Sequence, residues 1–201
     1  MSTIALNLET DMVVLPPPVI SPTAALLRAL KSRRSSRAFL PDTLSVETLS
    51  ALLWAAFGIN RRDSGGRTAP SAHNWQEIEV FAVLPEGAYR YEPATHRLLL
   101  VKTDDLRGAT GTQDFVATAP LNLVYVADFA RMHEARADER SFLAGADAGC
   151  IAQNVYLYCA IAGLATVVRG MIDRRRLAAA LGLAKTERIT LAQTVGYPAA
   201  A

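Results

Sequence analysis

The chain has 201 residues, 51% of them hydrophobic, and its 21 basic and 19 acidic side chains leave a formal net charge of +2. A single domain of this size can bury a substantial core without a metal or disulfide staple. Near-balanced charge excludes a strongly basic nucleic-acid clamp and an acidic solvating tail, and the apolar fraction excludes intrinsic disorder.

Taken in chain order, residues 1–20 read as an extended N-terminal arm, because Leu15-Pro16-Pro17-Pro18 favours polyproline geometry over helix. One domain then covers 21–201. Ser21-Pro22 offers an N-cap and a first-turn proline to a helix carrying Ala24, Leu26, Leu27 and Leu30. That helix runs into a basic loop, Arg33-Arg34-Ser35-Ser36-Arg37. Ser45 caps a second helix with Val46, Leu49, Leu52, Leu53 and Ala56 on its apolar side and Gly58 near its end. A loop containing Gly, Ser and Arg spans Arg61 to Ser71.

Strands are predicted at Ile78–Leu84, Ala88–Tyr91 and Leu98–Val101, the last two joined by a turn holding Pro93 and His96. Leu121–Ala127 is short and β-rich, as suits a strand buried on both faces. A long helix follows from about Phe142 to Gly163, then a strand at Thr166–Val168 and a short helix at Arg174–Leu181. The last strand, Ile189–Val195, ends in Gly196-Tyr197-Pro198. This mixture predicts an α+β fold.

Cys150 and Cys159 lie nine positions apart on the predicted long helix. They project from opposite faces, about 13.5 Å apart along the axis, which excludes a bridge between them. Two reduced, buried thiols, and no basic start with an apolar core within Met1–Met12, predict a cytoplasmic protein. The apolar stretch from Cys150 to Val168 is interrupted by Gln153 and Asn154, so it reads as a buried helix rather than a membrane span.

Chemistry-bearing motifs are mostly missing. His73, His96 and His133 are not spaced as metal ligands; His96 is expected in a turn and His133 on a surface helix. No nucleophile elbow, Rossmann glycine pattern or phosphate-binding P-loop is present. A phosphate would have to be gripped by side chains. Arg28, Lys31, Arg33, Arg34 and Arg37 lie in a window without acidic residues, interleaved with serines, and guanidinium pairs bidentately with phosphate oxygens. The same window also reads as a solvated basic turn. No aromatic residues interleave for base stacking, so nucleic acid is not the expected partner.

Two further stretches stand out. Thr68-Ala69-Pro70-Ser71-Ala72-His73-Asn74-Trp75-Gln76 places two amides before a strand, where they can address the edge of a heteroaromatic ring. Thr166-Val167-Val168-Arg169-Gly170 ends a strand with a guanidinium and a backbone that permits close approach.

Taken together, Arg33-Arg34-Ser35-Ser36-Arg37-Ala38-Phe39, Ala69-Pro70-Ser71 with Asn74 and Gln76, Gln153-Asn154 with Gly163-Leu164, and Val195-Gly196-Tyr197-Pro198 resemble the nitroreductase-like flavoprotein family in order and spacing. The resemblance runs from about Ser21 to Pro198, and the Tyr89–Leu98 hairpin is similar to the family's azoline-oxidase branch. It implies a central mixed or antiparallel sheet flanked by helices. It also implies a homodimer with a long interface helix, and FMN in clefts between the subunits.

Carried over by position, Arg33, Ser35 and Arg37 match the phosphate- and ribityl-binding residues, with Arg34 adjacent. Ser71, Asn74 and Gln76 match a loop that reaches the flavin, often from the second subunit. Arg169 and Gly170 match the strand end beside the isoalloxazine. Gly145, Ala146, Ala148, Gly149 and Ala152 would let the long helix approach its partner. Two positions depart from the pattern. The chain ends Ala199-Ala200-Ala201 where many relatives carry a basic residue, and Glu77 stands where proline is common.

The function implied is hydride transfer through flavin N5, with NADH or NADPH as reductant and a nitroaromatic, quinone or similar small molecule as acceptor. No protein side chain is assigned a catalytic role and no metal is expected. An azoline-type dehydrogenase or oxidase acting on a heterocycle, and a non-catalytic flavin-binding protein or cofactor-free interaction module, are the alternatives.

Overall fold

A computed structural model describes residues 24–200 of the chain. The expected arm over 1–20 and the Ser21-Pro22 cap lie outside the described residues. Helix α1 spans Ala25–Ser32 and α2 spans Val46–Phe57. Ser45 caps α2 as expected, its side chain accepting from the Thr48 N–H at 3.2 Å. A small antiparallel hairpin follows, β1 (Ile59–Arg61) with β2 (Gly66–Arg67), its second strand inside the stretch read from sequence as loop.

The main sheet holds β3 (Ile78–Leu84), β4 (Gly87–Glu92), β5 (Arg97–Lys102), β6 (Leu121–Asp128), β7 (Ala165–Arg169) and β8 (Glu187–Gly196). Their order is β5-β4-β3-β6-β8-β7, and every neighbouring pair is antiparallel. The fold is therefore α+β with an antiparallel sheet, and the parallel component allowed for in the expectation is not used.

Central strand β6 is buried from Leu121 through Ala127 because both faces are covered. On one face, Leu121, Leu123 and Tyr125 join a core with Leu52 of α2 and Ile151 and Val155 of α3 (Ala137–Ala162). On the other, Val124 and Val126 pack with Leu177 and Leu181 of α4 (Arg174–Leu181). Alternation across the strand divides one apolar run between two cores.

Helix α3 begins at Ala137, five residues before the expected Phe142, with Asp138 and Glu139 in its first turn, where carboxylates favour a helix start. It ends at Gly163, whose φ of 71° is the left-handed conformation that closes a helix. His133 sits in the turn before α3 rather than on a helix. Among the described residues, no helix is long and apolar enough to cross a membrane.

Candidate functional site

The basic loop leaves the end of α1 and is pinned on two sides. Ser36 N–H donates to Thr166 O of β7 at 3.0 Å, and Leu40 N–H donates to Tyr197 O at 2.9 Å. Phe39 and Pro198 form an isolated antiparallel bridge. Two motifs at opposite ends of the sequence thus become one strip of backbone. Gly196 is required there: a Cβ would come within 2.8 Å of Pro120 and 3.3 Å of Phe39.

Tyr156 organises the inner side of this loop. Its hydroxyl shares a 2.7 Å hydrogen bond with Ser35 Oγ and accepts from the Val168 N–H at 3.0 Å. The Arg33 guanidinium lies 5.2 Å from its ring centroid, a cation–π contact. Arg34, Ser36, Tyr156, Thr166, Leu164 and Pro198 then border a cleft of about 420 Å3. Among the described residues, none of Arg28, Lys31, Arg33, Arg34 or Arg37 takes part in an ion pair. The loop presents uncompensated positive charge beside a cleft with a mixed polar and apolar wall.

The Pro-Ser loop lies elsewhere on α3. Ala72 N–H donates to Asp147 Oδ2 at 2.8 Å. Asp147 and Tyr156 are nine residues apart on one helix, so the two loops attach about 13.5 Å apart along its axis. Within one chain, the structure does not bring Ser71, Asn74 and Gln76 into the cleft at Arg34.

Gln76 is tied down. Its Nε2 donates to Gly65 O at 3.2 Å and Asn74 Oδ1 at 3.0 Å, and its Oε1 accepts from Arg67 Nε at 2.8 Å. Ser71 Oγ accepts from the Gln76 N–H at 3.0 Å. These bonds hold His73, Asn74 and Gln76 at φ values of 49°, 54° and 50°, a cluster of left-handed conformations in non-glycine residues.

Arg169 turns away from the cleft. It is 4% exposed, and its Nε donates to Thr194 Oγ1 at 3.0 Å. One terminal nitrogen donates to Thr110 O at 2.9 Å and the other to Asn122 Oδ1 at 2.8 Å. Burial alone lowers its pKa to about 10. The side chain proposed from sequence to tune a flavin ring is committed to fastening the 107–117 segment to the sheet. Only its backbone and that of Gly170, whose Cβ position meets open space, remain at the strand end.

Glu77 is fully buried, with both carboxylate oxygens lacking a hydrogen-bond partner. Desolvation, reinforced by Asp147, raises its pKa to about 7. Sequence reading flagged Glu77 as a departure but did not connect it to Asp147, which carries no local motif. Tyr156 was missed for the same reason. His96 holds its expected turn, and it also links Tyr91 OH at 2.8 Å to Ser50 Oγ at 2.7 Å. No group of three or more His, Cys, Asp or Glu suited to a metal occurs among the described residues.

Comparison with known proteins places these features in context. The Nitroreductase family model matches residues 30–197. A Methanocaldococcus jannaschii protein provisionally named a nitroreductase is 31% identical over 151 residues, covering 70% of this chain and 76% of its own. The crystal structure of a provisionally named nitroreductase from Ralstonia eutropha superposes with a TM-score of 0.85 at 46% identity, covering 93% of this chain and 89% of that one. The NADPH:FMN oxidoreductase of Vibrio harveyi, solved with NAD+, shares the fold at a TM-score of 0.64 and 20% identity, covering 88% of this chain and 70% of that one.

Proposed function

This chain is an oxidoreductase of the nitroreductase family, and from that premise we propose that it binds FMN at the basic-loop cleft and uses NADH or NADPH to reduce a nitroaromatic, quinone or similar small acceptor. The observation that carries this reading is the pairing of unpaired cations with a mixed cleft. Arg34 lines the cleft with Arg33 and Arg37 in the same loop, none of them with a carboxylate partner among the described residues, while Leu164, Pro198 and Tyr156 supply apolar and aromatic wall. A phosphate-bearing planar ring system needs both.

The fit holds on the residues present. Arg33 and Arg37 would take the phosphate with Arg34 adjacent, without help from the Ala199-Ala200 tail. Ser35, oriented by Tyr156, would bind a hydroxyl of the ribityl chain. The backbone at Arg169-Gly170 would border the ring. When bound, the flavin supplies hydride transfer at N5. The chain's own tasks are to grip the phosphate, orient the ring and exclude water.

The reading also requires two copies. Ser71, Asn74 and Gln76 would complete the cleft of a partner subunit, since they stand along α3 from the cleft in their own chain. The surface favours such pairing: Phe142 is 75% and Ile161 53% exposed on α3, and Cβ positions at Gly145 and Gly149 meet open space. Cytoplasmic placement belongs to the same proposal.

The deciding experiment is the visible spectrum of purified protein after FMN supplementation and desalting. Retained, stoichiometric flavin absorbance is expected, followed by rapid bleaching on stopped-flow mixing with NADH or NADPH. A colourless protein overturns the cofactor assignment. A flavin that neither nucleotide bleaches overturns the reductase reading and favours the azoline-type direction.

A further inference from the structure

A second cleft, of about 240 Å3, shares no lining residue with the one at the basic loop, although it is lined by Gln76, which the proposed function assigns to a partner's cofactor cleft. Pro93 and Ala94 give it exposed apolar surface over buried Phe57, Ile78 and Val80, and Arg67, Arg90 and Arg131 reach it from β2, β4 and the turn after β6. Glu79 lies 2.6 Å from Arg131 and 3.4 Å from Arg90, and Asp128 lies 3.6 Å from Arg131, so both of these cations have a carboxylate partner. Glu92, the other acid in the wall, accepts from Thr95.

Arg67 forms no ion pair among the described residues. Its Nε donates to Gln76 Oε1 at 2.8 Å and one terminal nitrogen to Phe57 O at 3.5 Å, while its guanidinium lies 5.1 Å from the Phe57 ring centroid. A guanidinium carries about five N–H donors, so most of its donating capacity has no acceptor among the described residues. Burial lowers its pKa, Tyr91 opposes that effect, and the neighbouring Arg131 charge lowers it by a smaller amount. Arg169 shows the contrast: buried more deeply, it satisfies its guanidinium on Thr110, Asn122 and Thr194. Arg67, half-buried, is stacked in place with donors facing the cleft and like charge nearby.

We propose that this cleft binds a small organic anion, with its carboxylate or phosphate head on Arg67 flanked by Arg131 and Arg90 and its apolar body against Pro93 and Ala94. Opposite charge there relieves the repulsion among the guanidiniums, and the planar fork of Arg67 favours a two-oxygen head. The apolar wall at Pro93 and Ala94 favours a small aryl or short-chain body.

Titration calorimetry on FMN-supplemented protein tests this with benzoate, phenyl phosphate and the neutral isostere benzamide. Saturable binding of a charged probe is expected, with benzamide weaker by about tenfold or more. The tighter of the two charged probes distinguishes carboxylate from phosphate. Arg67→Met and, separately, Arg90→Gln should each weaken that probe by about fivefold or more, with probe-free melting curves showing both variants folded. Arg90 is exposed on β4, so its variant guards against loss of fold at Arg67. No binding of either charged probe, equal affinity for benzamide, or unchanged affinity in both variants overturns the proposal. So does a probe-induced flavin shift that persists in both variants, because it assigns the binding to the cofactor cleft. Calorimetry reads the site whether or not flavin is retained, so its outcome is independent of the cofactor assignment.

Discussion

Glu77 holds its carboxyl beside that of Asp147, beneath the Ala72 turn, and the two charges oppose each other while neither Glu77 oxygen finds a hydrogen-bond partner. Of the pair, Asp147 is the satisfied member, through the Ala72 N–H. Arg131 opposes the effect, but it is engaged by Glu79 and the Gln76 carbonyl. Burial, reinforced by Asp147, therefore favours the protonated form of Glu77.

Stability should follow that proton. Burial raises the folded-state pKa of Glu77 from the ordinary 4.5 to about 7. The folded state then binds more protons than the unfolded chain across that window, so the group's contribution is full below about 4.5 and is lost as pH rises through about 7. Glu77→Gln should be the more stable protein above pH 7, by about 1–3 kcal/mol, with the two converging at acid pH. Urea melts of both proteins across this range are the check, and parallel pH profiles would remove Glu77 as the cause.

Arg169 should matter to folding. Arg169→Met leaves Thr110, Asn122 and Thr194 with buried polar atoms short of a partner, and a loss of about 2–4 kcal/mol is expected in urea unfolding. Arg169→Lys should recover little, since an ammonium cannot match three partners arranged around a planar fork. Gly111→Ala should be damaging too, because its Cβ would run into the Arg169 guanidinium.

Tyr156→Phe removes the hydroxyl that joins Ser35 to β7. The fold should survive with a loss of about 1–2 kcal/mol. FMN retention should fall more than stability does, because the loop that carries the arginines loses an anchor. Equal flavin retention by the variant and the parent would show that Tyr156 merely packs.

Replacing Arg33 and Arg37 together with alanine should leave melting nearly unchanged, because no described ion pair uses either group. FMN affinity should fall by about tenfold or more, as charge-assisted phosphate contacts are lost. Fluorescence titration with FMN reads this directly. Undiminished affinity in a folded variant would move the phosphate site away from the basic loop.

The sequence by itself determined the elements and their chemistry. Short β-rich runs marked β3 and β6, Ser45 marked the start of α2, and the acid-free arginine window marked a place for an anion, because these signals are local and depend on a few neighbouring residues. The β1–β2 hairpin escaped notice because its strands are two and three residues long, too short to show a period. Only the tertiary structure decided where side chains spend their hydrogen bonds. Arg169 is separated by 59 residues from Thr110, and Ser35 by 121 from Tyr156, and no local pattern records such pairings. Burial was decided the same way: Glu77 stands in the sequence only as an acid where proline is common until the sheet and α3 close over it, and desolvation then turns a sequence departure into a titrating group.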